Sequence, residues 1–415
     1  MIPLAEARRF VLGSCRVLPV VEVALAEALG CVSARPVVAE VAVPAFANSS
    51  MDGYAVRAQD TSDAPVELAV VGTTLAGSGP GTLGAGQAVR LMTGAPLPEG
   101  ADAVCMLEIT EEGAGSVLVR EPVEPGTFVR RPGDDLAAGT EAFPAGTALG
   151  PGHLGVLASL GLTSVAVHRR PTVGVLSSGD ELVAPPAALG PGQIRDANRP
   201  ALLALVDQAG WRPVDLGAVP DEESAIEGAL LDGASRCDAV VVSGGVSVGD
   251  ADLVKVVLER ASAGTMRWLQ VAIKPAKPFA FGLLAPGVPV FGVPGNPVSA
   301  MVSFELFARP ALRLMAGHQV LDRPVARARA DEALLRPVDG KTHFFRVRAE
   351  VGHDGRLHVR GTGLQQSHVL SAMALANALA VVPDGPGVAA GGEVEVLLLD
   401  SDGLGRPTSS WAGPG

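Results

Sequence analysis

The segment Lys274-Pro275-Ala276-Lys277-Pro278 sets two lysines three positions apart, each followed by a proline. A residue before proline is pushed out of the helical region toward extended backbone. A polyproline II path has three residues per turn at about 3.1 Å rise, so both ammonium groups would leave one side of the chain with α-carbons about 9 Å apart. That spacing suits two anionic groups of one ligand. A solvated lysine loop is the plainer alternative.

Three further segments carry polar chemistry directly after apolar runs. Ser177-Ser178-Gly179-Asp180-Glu181-Leu182 follows Leu176 and offers two carboxylates. SGGVSVGDAD (Ser243 to Asp252) follows Val242; its Gly244 and Gly245 let backbone N–H groups approach an anion, and Asp250 and Asp252 precede the next helix. Pro294-Gly295-Asn296-Pro297 follows Val293, with Asn296 a good N-cap and Pro297 suited to the first helical position. Each loop alone reads as turn and cap chemistry; three on one sheet edge read as an anion-and-metal site. Mg²⁺ takes one or two carboxylates plus phosphate oxygens, and Asp52, Asp134, Asp135, Asp180, Glu181, Asp196, Asp221, Asp250 and Asp252 all fall in loops.

The elements that must position these groups alternate. After Pro171 the strand-like runs Thr172–Leu176, Val214–Val219, Ala239–Val242 and Val288–Val293 are separated by helical stretches Pro200–Gln208 (opened by Asn198), Glu222–Ala234 and Asp250–Arg260. A last helix runs from Pro297 to about Met315, with Pro310 a kink. This pattern means βαβ units and a mostly parallel sheet, which binds ligands at the carboxyl ends of its strands. Residues 1–30 read as two short helices, Val37–Val43 as a strand, residues 52–140 as a small antiparallel β domain and His153–Leu160 as a helix. Residues 338–400 read as a final β region. The expected domains are 1–45 with 141–170, an inserted β domain 46–140, an α/β domain 171–320, a β domain 325–400 and a flexible tail 401–415.

Composition narrows the function. The chain has 415 residues, 18% of them charged, and a net charge of −12. With aromatics at 4%, bulk electrostatics and base stacking both argue against a nucleic-acid partner. The four cysteines form no CxxC pair, and the seven histidines show no metal-ligand spacing. GxSxG, P-loop and GxGxxG patterns are missing, which argues against α/β-hydrolases, Walker NTPases and Rossmann dehydrogenases. No apolar run reaches 18 residues and no secretory pattern opens the chain, so a cytoplasmic protein with no membrane partner is expected. On residues alone the reading is an anion-binding, Mg²⁺-assisted α/β enzyme.

Taken in order, PAFANSSMDGYAV (from Pro44), RLMTGAPLPEGADAV (from Arg90), RRPGDDLAAGT (from Arg130), SSGDEL, GQIRDANR (from Gly192), SGGVSVGDAD, IKPAKPFAFG (from Ile273) and GVPGNPVS (from Gly292) resemble the MoeA family of molybdopterin molybdenumtransferases, related to the gephyrin E domain. The resemblance spans about residues 4–400. It implies a multi-domain α/β plus β fold: a helical and extended linker domain, a small β domain, a doubly wound α/β molybdopterin-binding domain and a C-terminal β-barrel-like domain. It implies insertion of molybdate into adenylylated molybdopterin with Mg²⁺ and release of AMP. It also implies a homodimer whose active cleft is shared between subunits, with molybdopterin adenylyltransferase and molybdoenzyme apoproteins as further partners.

Position by position, the resemblance marks Asp52, Thr93, Glu181, Asp221, Asp252, Lys274 and Lys277 as catalytic, with Glu181 and Asp252 toward the metal. It marks Asp135, Ser243, Gly244, Gly245, Pro278, Pro294, Gly295, Asn296, Arg346 and Ser367 as binding residues, Arg346, Ser367 and the Lys277-Pro278 corner in the molybdate pocket. The sequence departs from the family pattern at Ala47, where aspartate is usual, at Ser178, where threonine is common, and in Gln365-Gln366-Ser367-His368. Two rival readings remain: a molybdopterin adenylyltransferase or fused amidohydrolase sharing the α/β module, and a non-catalytic scaffold. The multi-domain N-terminal half argues against the first, and retained Asp52, Glu181 and both lysines against the second.

Overall fold

The computed structural model describes residues 1–245, 253–285, 287–400 and 404. Asp250 and Asp252 lie outside the described residues, as does the tail 401–415 except Leu404. The chain forms two compact units, Glu22–Val167 and a second built from Met1–Val21 with His168–Gly415. No helix among the described residues is long and apolar enough to cross a membrane.

In Glu22–Val167 a six-stranded sheet runs in the order Ala103–Met106, Gly53–Val56, Gln87–Leu91, Val66–Thr74, Ser116–Val119, Thr110–Glu112. Its core holds Tyr54, Val56, Leu68, Ala88, Cys105 and Val117. The sheet is not wholly antiparallel as expected: Val66–Thr74 pairs with Gln87–Leu91 in parallel. The Gly-rich segment 75–86 has the dozen or so residues that a parallel return requires. Gly53 is dictated by packing, because a Cβ there would lie 2.0 Å from the Cys105 carbonyl oxygen. The expected second helix around Val21–Leu29 is instead a strand, Val20–Ala24, and a 3₁₀ turn, Leu25–Glu27. Val20, Val21 and Val23 are β-branched and favour extended backbone over helix. Of the expected strand Val37–Val43 only Val37–Val38 forms, pairing with Glu141–Phe143.

The second unit contains the α/β module. Its elements are β1 (Thr172–Ser178), α1 (Asn198–Gln208), β2 (Arg212–Val219), α2 (Glu223–Arg236), β3 (Ala239–Ser243), α3 (Leu253–Ala261), β4 (Arg267–Gln270), β5 (Pro278–Leu284) and β6 (Val288–Val293). They form one sheet in the order β2-β1-β3-β6-β5-β4. The first four strands are parallel; β5 runs antiparallel to both of its neighbours, β6 and β4. β1 and β3 are buried along their length, as a sheet covered on both faces demands. The N-terminal helix Leu4–Ser14 buries Ala7 and Val11 in the core that also holds Leu202, Phe281 and Phe307.

A continuous helical run follows β6: Pro297–Ser303, a π-helical stretch Phe304–Ala308, then Arg309–Met315. Pro310 has no N–H for the Leu306 carbonyl, and the helix widens there rather than breaking. Arg8 Nη1 donates to that carbonyl instead, at 2.9 Å.

Beyond it, Thr342–Val351, Leu357–Gly361, Val325–Ala330, Glu393–Leu398 and Ala378–Val382 pair in that order. Ala378–Val382 pairs back onto Thr342–Val351, so the sheet closes into a five-stranded barrel. Closure leaves no free edge among these strands. Ala330, Val347, Val359, Ala380 and Val396 fill the interior.

Candidate active site

The strand order reverses between β1 and β3, because β1 connects outward to β2 while β3 lies on its other side. Parallel sheets open a crevice at such a point. Here a cavity of about 140 Å³ lies at the carboxyl ends of the strands, lined among others by Ser177, Ser178, Glu181, Asn198, Ser243 and Gly295. Gly244 lines it as well. A Cβ on Gly244 would sit 2.7 Å from the Ser178 carbonyl oxygen, and one on Gly245 would sit 2.2 Å from Val254 Cβ. Both glycines have positive φ, 99° and 66°. Only glycine fits this turn. The Gly244 N–H is already committed, donating to Val293 O at 3.2 Å, so it is not a free anion donor as the sequence suggested.

The carboxylates divide into bound and free. Ser178 Oγ donates to Asp221, and the Asp221 N–H donates to Asp180 Oδ1 at 3.0 Å, tying the ends of β1 and β2. Ser177 Oγ donates to Asp196 Oδ1 at 3.2 Å. Glu181 lines the cavity with its carboxylate against Gly179, and that carboxylate has no hydrogen-bond donor or ion-pair partner among the described residues. A charged acceptor facing a polar cavity fits a cation that brings its own waters. No group of three or more His, Cys, Asp or Glu side chains converges on a metal position among the described residues. One or two carboxylates suffice for Mg²⁺.

A second cavity, of about 110 Å³, is lined by Lys274, Arg336, His343, Phe345, Arg346 and Gln365, among others. Arg346 is 1% exposed and is the largest fully buried side chain. Burial pushes its guanidinium down to about 10. Its Nη atoms donate to carbonyls of Phe344, Leu364 and Gln366, whereas Nε has no partner. An unpartnered buried donor is costly unless a ligand meets it. Gln365 holds this residue by its backbone, accepting from Arg346 N at 2.9 Å and donating to Arg346 O at 3.1 Å. Burial also lowers the His343 imidazole, and Lys274 and Arg336 lower it further against the pull of Asp339.

The lysines do not follow a polyproline II path. Lys274 ends the two-residue strand Ile273–Lys274, which pairs in parallel with Thr342 and His343. Ala276 has φ 74°, so the chain turns between the lysines. Val271 N–H closes that turn on Lys277 O at 2.8 Å. Lys274 faces the Arg346 cavity and Lys277 does not line it. Both are exposed and neither forms an ion pair among the described residues.

Asn296 does occupy the N-cap position of the helix beginning at Pro297, with extended backbone, but its side chain makes no cap hydrogen bond. The helix start is also less free than expected, since Val298 N–H donates to Ser367 O at 3.1 Å. This bond places the barrel's Gln365–His368 segment against the loop after β6. Pro278 opens β5, Pro294 is buried and Gly295 is exposed.

In the Glu22–Val167 unit, Asp52 Oδ1 accepts from both Thr93 N–H (2.6 Å) and Thr93 Oγ1 (2.8 Å). These bonds hold the Asp52 carboxyl below its ordinary value. Asp135 is exposed, and its N–H donates to Val43 O at 3.0 Å. Sequence reasoning missed Gln365 and His343 and treated Asn198 only as a helix opener. The partners of Gln365 and Asn198 are distant in sequence, His343 meets Asp339 four residues before it, and only the Asp-x-Asn spacing before Pro200 hinted at a polar turn.

Comparison with known proteins agrees along the whole length. Residues 2–161 match the MoeA N-terminal region (domain I and II), residues 174–314 a probable molybdopterin binding domain, and residues 328–399 the MoeA C-terminal region (domain IV). The chain is 39% identical over 414 residues to molybdopterin molybdenumtransferase 2 of Mycobacterium tuberculosis, covering 96% of this chain and 100% of that one. It is 38% identical to molybdopterin molybdenumtransferase of Haemophilus influenzae, covering 90% and 92%. Among solved structures, a molybdopterin biosynthesis MoeA protein of Pyrococcus horikoshii superposes with a TM-score of 0.79 at 31% identity, covering 97% and 100%.

Proposed function

The chain belongs to the MoeA family of molybdopterin molybdenumtransferases, and on that footing we propose that it inserts molybdate into adenylylated molybdopterin, with Mg²⁺ and release of AMP. The enzyme is a transferase of molybdenum cofactor biosynthesis. The observation that carries the finer reading is the pairing of an uncompensated Glu181 carboxylate with a glycine-walled cavity at the switch point of the α/β sheet.

In this reading the turn at Gly244-Gly245 and the loop Pro294–Asn296 take the terminal phosphate of the pterin, with open space beside Gly295 for close approach. Mg²⁺ would be held by Glu181, with Asp252 as the second candidate, and when bound it neutralises charge on the departing phosphoanhydride. Arg346 and Lys274, which line one cavity, suit the tetrahedral molybdate dianion, which needs charge-assisted donors. Ser178 and Asp180 hold Asp221 in place.

The protein acts in this proposal as a homodimer whose clefts are each completed by Asp52 and Thr93 of the other subunit. An adenylyl-transferring enzyme must supply the substrate, and an apoenzyme must take the product. A reconstituted reaction containing adenylylated molybdopterin, molybdate and Mg²⁺ tests the chemistry: AMP should appear only when molybdate and Mg²⁺ are both present. AMP release independent of molybdate would reduce the protein to a hydrolase. Mixed Asp52→Asn and Glu181→Gln subunits, each inactive alone, should regain activity after exchange if the cleft is shared.

A further inference from the structure

The segment Ile194–Arg199 contacts the last residues of β1 and β3, the loop after β6 and the middle of β2. Ile194 N–H donates to Glu181 O at 2.8 Å and Val183 N–H donates back to Ile194 O at 2.9 Å, so the Glu181 loop is zipped to it. Asp196 accepts from Ser177 Oγ at the end of β1 and, at 3.1 and 3.0 Å, from the N–H and Nε of Arg199, which fixes the start of α1. Arg199 in turn pairs with Asp215 on β2. Asn198 Nδ2 donates at 2.7 Å to Ser243 Oγ, the last residue of β3, and at 2.7 Å to Gly295 O, in the loop after β6.

The orientation of the Asn198 amide is forced. A backbone carbonyl only accepts, so the nitrogen must face Gly295 O, and its second hydrogen then reaches Ser243. One NH₂ group thus spans the two loops that border the cavity.

We propose that Asn198 is a positioning residue for the transfer reaction: its amide fixes the end of β3 and the loop after β6 at one separation, so that both meet the anionic end of the substrate together. The Ile194–Glu181 pairing ties the same segment to the Glu181 backbone, and Asp196 ties it to the end of β1, which makes Ile194–Arg199 the common frame of the cavity. The functional part rests on the assignment of this cavity to the substrate; the frame itself does not.

Two variants separate this role from filling space. Asn198→Ala removes the bridge. Asn198→Asp keeps the shape but turns a carboxylate oxygen toward the Gly295 carbonyl, so it should be the worse of the two. Steady-state kinetics with adenylylated molybdopterin should show KM raised roughly tenfold or more in Asn198→Asp, with kcat at saturation changed far less. Thermal midpoints should stay near wild type. Amide hydrogen exchange of the substrate-free protein gives the second readout: peptides covering residues 239–245 and 290–296 should gain exchange together in both variants. Wild-type KM in Asn198→Asp would overturn the functional role. Faster exchange in only one peptide, or in neither, would overturn the bridge. If the wild-type protein neither binds nor turns over the pterin, the assignment of the cavity fails, and the exchange result still decides the bridge.

Discussion

One carboxylate oxygen of Asp52 takes both donors that Thr93 offers, its N–H at 2.6 Å and its hydroxyl at 2.8 Å. Two hydrogen bonds to the charged form favour that form, and the backbone bond contributes most to lowering the carboxyl. The pair therefore presents an ionised carboxylate, built to accept or to hold a cation rather than to give a proton. Thr93→Val keeps the N–H and removes the hydroxyl. The Asp52 titration, followed by NMR, should move up toward the ordinary carboxylate value. A depressed pKa contributes stability above the unfolded carboxylate range and loses it as pH falls through the folded value. The variant should lose part of that contribution near neutral pH, and its stability should converge with wild type as pH falls below the folded value. An unchanged titration would mean that the hydroxyl bond does not form in solution.

The turn at Ala276 makes the two lysines unequal. Lys274 faces the cavity of Arg346, whereas Lys277 projects elsewhere. Lys274→Ala removes a charge-assisted contact worth about 1.5–3 kcal/mol, which is roughly tenfold or more in turnover. Lys277→Ala should also lower turnover, since it retains an unpaired cation beside β5, but by less. Thermal midpoints should barely move, because neither side chain is buried. Equal turnover in Lys274→Ala and wild type would remove Lys274 from the site.

Glu305 lies in the π-helical stretch with its side chain 2% exposed. Arg323 meets it through two bonds of 2.9 Å, and Arg309 Nε stands 3.8 Å away. Burial lowers Arg309 to about 10, an effect Glu305 opposes. Removing the one carboxylate leaves two guanidinium groups facing each other, so Glu305→Ala should destabilise by about 3–5 kcal/mol. Denaturant unfolding of the whole chain measures it; a loss near zero would show that water replaces the carboxylate.

In the barrel, His358 Nδ1 lies 2.7 Å from Asp331 Oδ1 and Nε2 lies 3.1 Å from Asp354 Oδ1. A Cβ on Gly352 would come within 2.7 Å of the ring, so glycine is needed to seat it. The hydrogen bond to Asp331 raises the imidazole most, and Asp354 adds to it. Arg360 binds Asp331 as well, and the Arg356 N–H donates to Asp354. A raised folded pKa contributes stability that is complete below the unfolded imidazole value of about 6.5 and is lost as pH rises through the folded value. Denaturation midpoints of wild type and His358→Gln should therefore differ at pH 6 and converge by pH 9. The opposite slope would mean that the imidazole is neutral in the fold.

The parts of this architecture that read directly from the sequence are those set by local pattern. Thr172–Ser178 and Ala239–Ser243 are apolar runs ended by serine and glycine, and that alone marks buried parallel strands with a ligand edge. Barrel closure came from the family resemblance and not from local pattern, because Thr342–Val351 pairs with both Leu357–Gly361 and Ala378–Val382, and nothing local specifies a second partner. The turn between Lys274 and Lys277 did not read either. Proline biases only the residue before it, while the left-handed Ala276 is fixed by the Val271–Lys277 bond and the pairing of Lys274 with His343. Asn198 hid its role in the same way, since its acceptors lie 45 and 97 residues on.

Glu181 offers the sharpest test of the metal. Its neighbour Asp180 is engaged by the Asp221 N–H, and Asp221 by Ser178. Glu181 caps no helix, for the next one begins at Asn198. Its carboxylate stands at the cavity with no partner among the described residues, and its backbone is held by Ile194. An exposed carboxylate left without a protein partner is free to take a cation arriving with the substrate. Glu181→Gln keeps the size and removes the charge. Half-saturating Mg²⁺ should rise roughly tenfold or more, or turnover should be lost, while the thermal midpoint stays at the wild-type value. Mg²⁺ keeps most of its waters, so a partial loss with raised Mg²⁺ demand points to one direct or water-mediated contact. Wild-type rate with wild-type Mg²⁺ dependence in Glu181→Gln would show that the cation, if one acts, is held elsewhere.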